Sequence, residues 1–96
     1  MALLPYVLII HDVDSYASWK IIFDRAAAAR KAAGEISFLL LAAAAEPDRI
    51  VHISRWRSLD DARRFFESPA IAALRCEAGV HAPDFLYLHE LERGTL

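Results

Sequence analysis

Apolar positions along this chain recur in two rhythms. Tyr6 to His11 is a short apolar run rich in β-branched residues and closed by Asp12 and Asp14, which reads as a strand. The period then lengthens. Tyr16, Trp19, Ile22, Phe23, Ala26 and Ala33 follow one another at spacings of three, four or seven, or adjacent to one another on one helical face. Asp14 or Ser15 caps that helix, Ala26 to Ala29 are strong helix formers, and Gly34 stands where a left-handed residue ends it.

The second half repeats the alternation. Ile36 to Ala43 predicts a second strand, with Phe38, Leu39, Leu40 and Leu41 apolar on both faces. Glu46-Pro47-Asp48 is a turn signal, so Arg49 to Trp56 forms a third strand antiparallel to the second. Ser58 caps a second helix, with Asp60 and Asp61 at its positive end and Ala62, Phe65 and Phe66 on its apolar side. Ser68-Pro69 restarts that helix, Ile71 and Leu74 turn inward, and Gly79 ends it. His81-Ala82-Pro83 reads as a loop, and Asp84 to Leu91 alternates as the last strand.

This order, βαββαβ, is an α+β class. Right-handed crossovers put both helical layers on one face of a four-stranded antiparallel sheet in the order 4-1-3-2. Nothing in the chain covers the other face, yet the strands are apolar on both sides, where a half-exposed sheet should alternate apolar with polar. Four strands ~4.8 Å apart and ~20 Å long project roughly 400 Å². A patch of that size calls for a partner, and a two-fold homodimer is the simplest.

Composition sharpens this expectation. Of the 96 residues 56% are hydrophobic, more than a short soluble domain ordinarily carries. The length suits a single domain over residues 1–96. With 11 basic and 13 acidic residues there is no basic tract to follow phosphates, so nucleic acid is not an expected partner. One cysteine, Cys76, forms no internal disulfide and suits a reducing, cytoplasmic setting. Met1 to Ile10 lacks the basic start and small-residue cleavage site of a signal peptide, and no run is long enough to span a bilayer.

The histidines His11, His52 and His89 are the notable polar residues of the strands. His52 shares a face with Ile50, Ser54 and Trp56; His89 shares one with Phe85, Tyr87 and Leu91. If those faces line a barrel interior, His52 and His89 are candidate catalytic bases, since imidazole as a side-chain type suits proton transfer near working pH. Trp56, Tyr87, Ser54 and His11 are then candidate substrate contacts in an apolar pocket. A histidine on a sheet face equally suits a hydrogen-bonded core position, and His11 beside Asp12 suits a solvated strand end. No two histidines have the close spacing of a local chelate, so no metal is expected. Trp19 and Phe23 read as core beneath the first helix.

The stretch Val13-Asp14-Ser15-Tyr16, Trp19-Lys20, Phe23-Asp24, Arg30 and Ala33-Gly34 resembles one branch of the antibiotic-biosynthesis-monooxygenase-like proteins of the dimeric α/β-barrel superfamily. Glu46-Pro47-Asp48, Arg55-Trp56, Leu59 to Phe65, Ser68-Pro69 and Ala78-Gly79-Val80 share the likeness. The resemblance implies a ferredoxin-like subunit and a barrel shared by two chains. It also implies a small-molecule-binding protein, of which a cofactor-independent monooxygenase or cyclase-like enzyme on an aromatic or polyketide-type substrate is one form and a haem-degrading enzyme another. Without a glycine-rich phosphate loop or a helical haem-ligating histidine, no flavin, nicotinamide or haem cofactor is expected. A non-enzymatic stress-response or ligand-binding barrel is the alternative. Trp56 matches the tryptophan that monooxygenases of this kind carry at the end of the third strand. The helical histidine of the haem-degrading branch is missing from Ile71 to Ala78.

Overall fold

Eight elements follow the expected alternation in a computed structural model that describes residues 4–96. Met1, Ala2 and Leu3, which begin the apolar run from Met1 to Ile10, lie outside the described residues. The strands are β1 (Pro5–Val13), β2 (Glu35–Ala43), β3 (Glu46–Trp56) and β4 (Val80–His89). The helices are α1 (Tyr16–Arg25), α2 (Ala27–Ala33), α3 (Leu59–Phe66) and α4 (Pro69–Glu77). Both crossovers are thus split helices. The first breaks at Ala26, whose ψ of 0° leaves the helical range while i→i−4 bonds continue on both sides of it.

Caps fall where side-chain chemistry places them. Ser15, Ser58 and Ser68 each accept a backbone N–H three residues on, and Pro69 opens α4, where its missing N–H costs nothing. Gly34, at φ 126°, turns the chain straight from α2 into β2, which brings Glu35 back beneath α2.

The sheet is antiparallel throughout, in the order β2-β3-β1-β4, the expected order read from the other edge. Two turn readings are corrected. The hairpin turns at residues 44–45, and Glu46-Pro47-Asp48 belongs to β3. Pro47 is tolerated because the β2 ladder shifts register there and β1 pairs no further than Arg49. His81-Ala82-Pro83 lies inside β4. Ala82 and Pro83 together oppose only His11, a bulge whose kink Ala82 supplies with φ 41°. Leu91 falls beyond the end of β4 and is exposed.

The four helices cover one face. Val7, Ile9, His11 and Val13 of β1 and Ile50, His52, Ser54 and Trp56 of β3 are buried there. The core has two parts on that face. One holds Val7, Ile9, Trp56, Ala62 and Phe66 under α3; the other holds Val13, Trp19, Phe23, Ile50 and Ala78 under α1. On the opposite face Leu39 and Leu86 are about half exposed, at 54% and 51%, and Leu41 and Leu88 stand out beside them. The register sets Leu39, Ile53, Leu8 and Leu86 in one row across all four strands.

Candidate functional site

The period-two grouping of the strand residues holds, but the face differs from the expectation of a helix-free barrel interior. His52, Ser54 and Trp56 point toward the helices. Both sheet faces are apolar, so parity groups the residues without choosing a side.

α1 brings Trp19 and Phe23, one turn apart, into a stack 4.8 Å between ring centroids. Onto that stack β1 sets His11, 5.3 Å from Trp19, and β3 sets His52, edge-on to Phe23 at 5.0 Å. The two imidazoles lie nearly parallel, 6.4 Å apart. Phe65 and Phe66 of α3 and Ile71, Leu74 and Arg75 of α4 close the space above them. The cavity measures about 70 Å³. Its wall is apolar apart from the two histidines, Arg30 and Arg75.

A buried ionic chain runs along one side of this cavity. Arg30 of α2 donates from Nε to Glu35 Oε1 at 2.7 Å and from Nη1 to the Phe23 carbonyl, and its guanidinium lies 3.7 Å above the Phe23 ring. The other carboxylate oxygen, Glu35 Oε2, is 3.2 Å from His52 Nε2. The two atoms are close but out of line for a hydrogen bond, so both remain unpartnered, as does His11 Nδ1.

Burial alone would raise the Glu35 pKa, but its contacts with His52 and Arg30 outweigh that and hold it below the usual carboxylate range. His11 moves the other way from a surface imidazole. Burial, and then the charges of His52 and Arg75, push its pKa down to about 3, so the ring is neutral at neutral pH. A neutral ring accepts at one nitrogen and donates at the other.

The structure brings two of the predicted site residues, His11 and His52, to one cavity. Trp56 and Ser54 lie beneath α3 instead, where Trp56 Nε1 donates to Ser54 Oγ at 2.8 Å and Ser54 Oγ reaches the Val7 carbonyl. Tyr87 packs against the same cluster under the Arg63 guanidinium, 4.7 Å away. His89 is exposed at the far end of β4, opposite Pro5, and does not reach the cavity. Among the described residues, no cluster of three His, Cys, Asp or Glu side chains could hold a metal ion.

Sequence reasoning singled out neither Glu35 nor Arg75, and named Arg30 only within the family likeness. For Arg30 a signal existed: it follows Phe23 by seven residues and Ala26 by four, on the buried stripe of the first crossover. Glu35 was hidden by the register shift between Glu35 and Ser37, which breaks parity counting along β2.

Comparison with known proteins agrees with this architecture. The family model for antibiotic biosynthesis monooxygenase matches residues 19–75. Among solved structures the chain is similar to SnoaB, a cofactor-independent oxygenase from Streptomyces nogalater, at 21% identity and TM-score 0.73, covering 99% of this chain and 98% of that one. It is also similar to the monooxygenase from the gene ActVA-Orf6 of Streptomyces coelicolor, solved in complex with nanaomycin D. That match has 19% identity and TM-score 0.62, covering 98% of this chain and 91% of that one. Rv0793 from Mycobacterium tuberculosis matches at 19% identity and TM-score 0.66, over 95% of this chain and 99% of that one. At these identities the likeness is one of fold. No curated protein matches the chain.

Proposed function

The chain belongs to the antibiotic biosynthesis monooxygenase family, and from that premise we propose that it is a homodimer that binds a phenolic polycyclic molecule beneath its helices and oxygenates it without a cofactor. One observation carries the reading: two buried imidazoles, His11 with its Nδ1 unpartnered, converge on a mainly apolar cavity whose other polar lining is Arg30 and Arg75. A buried polar atom left without a partner costs about 1–3 kcal/mol, and a ligand hydroxyl would supply that partner.

In this reading His52 removes the proton of the phenol or enol. The resulting anion is electron-rich enough to reduce oxygen by itself, so the protein's work is to bind, deprotonate and exclude water. Neutral His11 holds an oxygen of the ligand by a hydrogen bond, and Trp19 and Phe23 stack on its rings. Trp56, Ser54 and Tyr87 support the Phe65–Phe66 wall from behind. His89 takes no part.

The cavity of about 70 Å³ has room for a few waters. Pockets for ligands of drug size run to ~300–1,000 Å³, so a polycyclic ligand requires the helical layer to part from the sheet. Helix α4 is the wall with least to lose, because it lines the cavity through Ile71, Leu74 and Arg75 yet has no fully buried residue. The small size of the cavity also supports a second reading, a dimeric barrel that binds a ligand without turning it over. The dimer rests on the exposed leucines of the helix-free face, and sedimentation at micromolar concentration checks it by giving twice the chain mass.

Oxygen uptake with 1,8-dihydroxyanthrone separates the two readings. One molecule of the anthrone and one of oxygen give dihydroxyanthraquinone and water. The wild-type protein should accelerate uptake, and His52→Ala should lose about 10²–10⁴-fold of that rate, the usual share of a positioned base. Saturable binding without acceleration would leave the ligand-binding reading in place.

A further inference from the structure

The buried chain Arg30–Glu35–His52 is more than the proposed reaction, as stated, requires. Charged side chains are rarely buried, and Arg30 and Glu35 are 4% and 9% exposed. A carboxylate and a guanidinium could satisfy one another completely, in a two-pronged pair. Here they do not. Arg30 engages Glu35 Oε1 alone and spends another N–H on the Phe23 carbonyl, and Glu35 Oε2 is turned toward His52 Nε2. The guanidinium is itself held over the Phe23 ring, so the carboxylate is fixed from behind by a group that cannot swing away.

We propose that Glu35 is a positioning residue that holds the His52 ring with its proton on Nε2, so that Nδ1 is the nitrogen left bare to accept the substrate proton. The proposal rests on the reading of His52 as the base. An ionised carboxylate only accepts hydrogen bonds, so the nitrogen facing it must carry the proton. The atoms are 3.2 Å apart and need only a small rotation of the ring to come into line. Such bonds are often poorly aligned until a ligand is bound. In the step itself the substrate O–H bond breaks and an Nδ1–H bond forms, with the electron pair staying on the substrate oxygen. The imidazolium created is then flanked by Glu35, whose charge is balanced by Arg30. If the chain were only a structural ion pair, His52 would be free in its choice of tautomer.

Long-range ¹H–¹⁵N NMR of histidine-labelled protein reads that choice directly, at a pH above the loss of the second ring proton. Wild-type His52 should favour the Nε2–H form by about tenfold or more, as a hydrogen bond to a charged group implies. Glu35→Ala would strand the buried Arg30 charge and could unfold the chain. The double variant Arg30→Met/Glu35→Met removes both charges at similar volume, a change that folded proteins often accept. In it the His52 preference should fall back to that of a free histidine side chain. An unchanged tautomer ratio in the folded double variant, or a wild-type ring protonated on Nδ1 alone, would overturn the proposal. These results do not depend on turnover: a protein that fails to oxygenate any anthrone still reports the tautomer, so failure of the function and failure of the positioning role are read separately.

Discussion

Two halves of one sheet face lie side by side in this molecule and are built to different standards. Under α3, Val7, Ile9, Trp56, Ala62 and Phe66 pack around a polar pair that satisfies itself, Trp56 Nε1 on Ser54 Oγ. Under α1 and α4, the same strands carry His11 and His52 into a cavity, and His11 Nδ1, His52 Nε2 and Glu35 Oε2 go unpartnered. Packed interiors tolerate few such atoms. The first half has the composition of a core whose work is cohesion. The second, cohesive around Val13, Trp19, Phe23, Ile50 and Ala78, also keeps unpartnered polar atoms and an open space.

The comparison can be broken first at its stable side. Trp56→Ala should cost ~3–5 kcal/mol of unfolding free energy in urea titrations, the range for a buried aromatic with a full set of neighbours. A loss below ~1 kcal/mol would mean that the α3 half is not the keystone of the fold.

Acid should attack the other half. The His11 pKa is about 3 in the folded chain against 6.5 for the free side chain. Between those values the unfolded chain binds more protons than the folded one. The stabilisation is therefore complete above pH 6.5 and is lost as pH falls toward 3. The lowered Glu35 pKa acts in the same direction at more acid pH. Unfolding free energies measured across this range should drop by ~2–4 kcal/mol, allowing for relaxation around the ring. A flat profile would show that His11 is not buried neutral.

The smallest effect is the sharpest in sign. His11→Phe should stabilise the protein by about 1 kcal/mol at neutral pH, because an unpartnered ring nitrogen is removed from an apolar site. It should also flatten the acid slope. A thermal melt that moves down instead would place an undetected partner on His11.

Much of this was legible in the sequence, for reasons that differ by element. The serine caps and the split at Ser68-Pro69 follow from local chemistry acting within a few residues, and the strand order follows from the handedness of the two crossovers. The face of His52 did not follow, since Leu8 and Ile10 on one side of β1 are as apolar as Val7 and Ile9 on the other. A weak cue existed in Arg55, Asp12 and Asp84, which share the parity opposite to His52, His11 and Phe85 and so mark the face without helices. The bulges at Ile36 and at Ala82-Pro83 are tertiary adjustments with no local signature, and they conceal Glu35 and extend β4.

The central claim is that the cavity beneath the helices, not the helix-free face, is where the ligand binds. Titrating histidine- and tryptophan-labelled protein with 1,8-dihydroxyanthrone in the absence of oxygen tests it directly by ¹⁵N NMR. The ring signals of His11 and His52 and the indole signal of Trp19 should shift saturably, while His81 and His89 stay where they are. Saturable shifts at His89, with His11 and His52 unmoved, would contradict it.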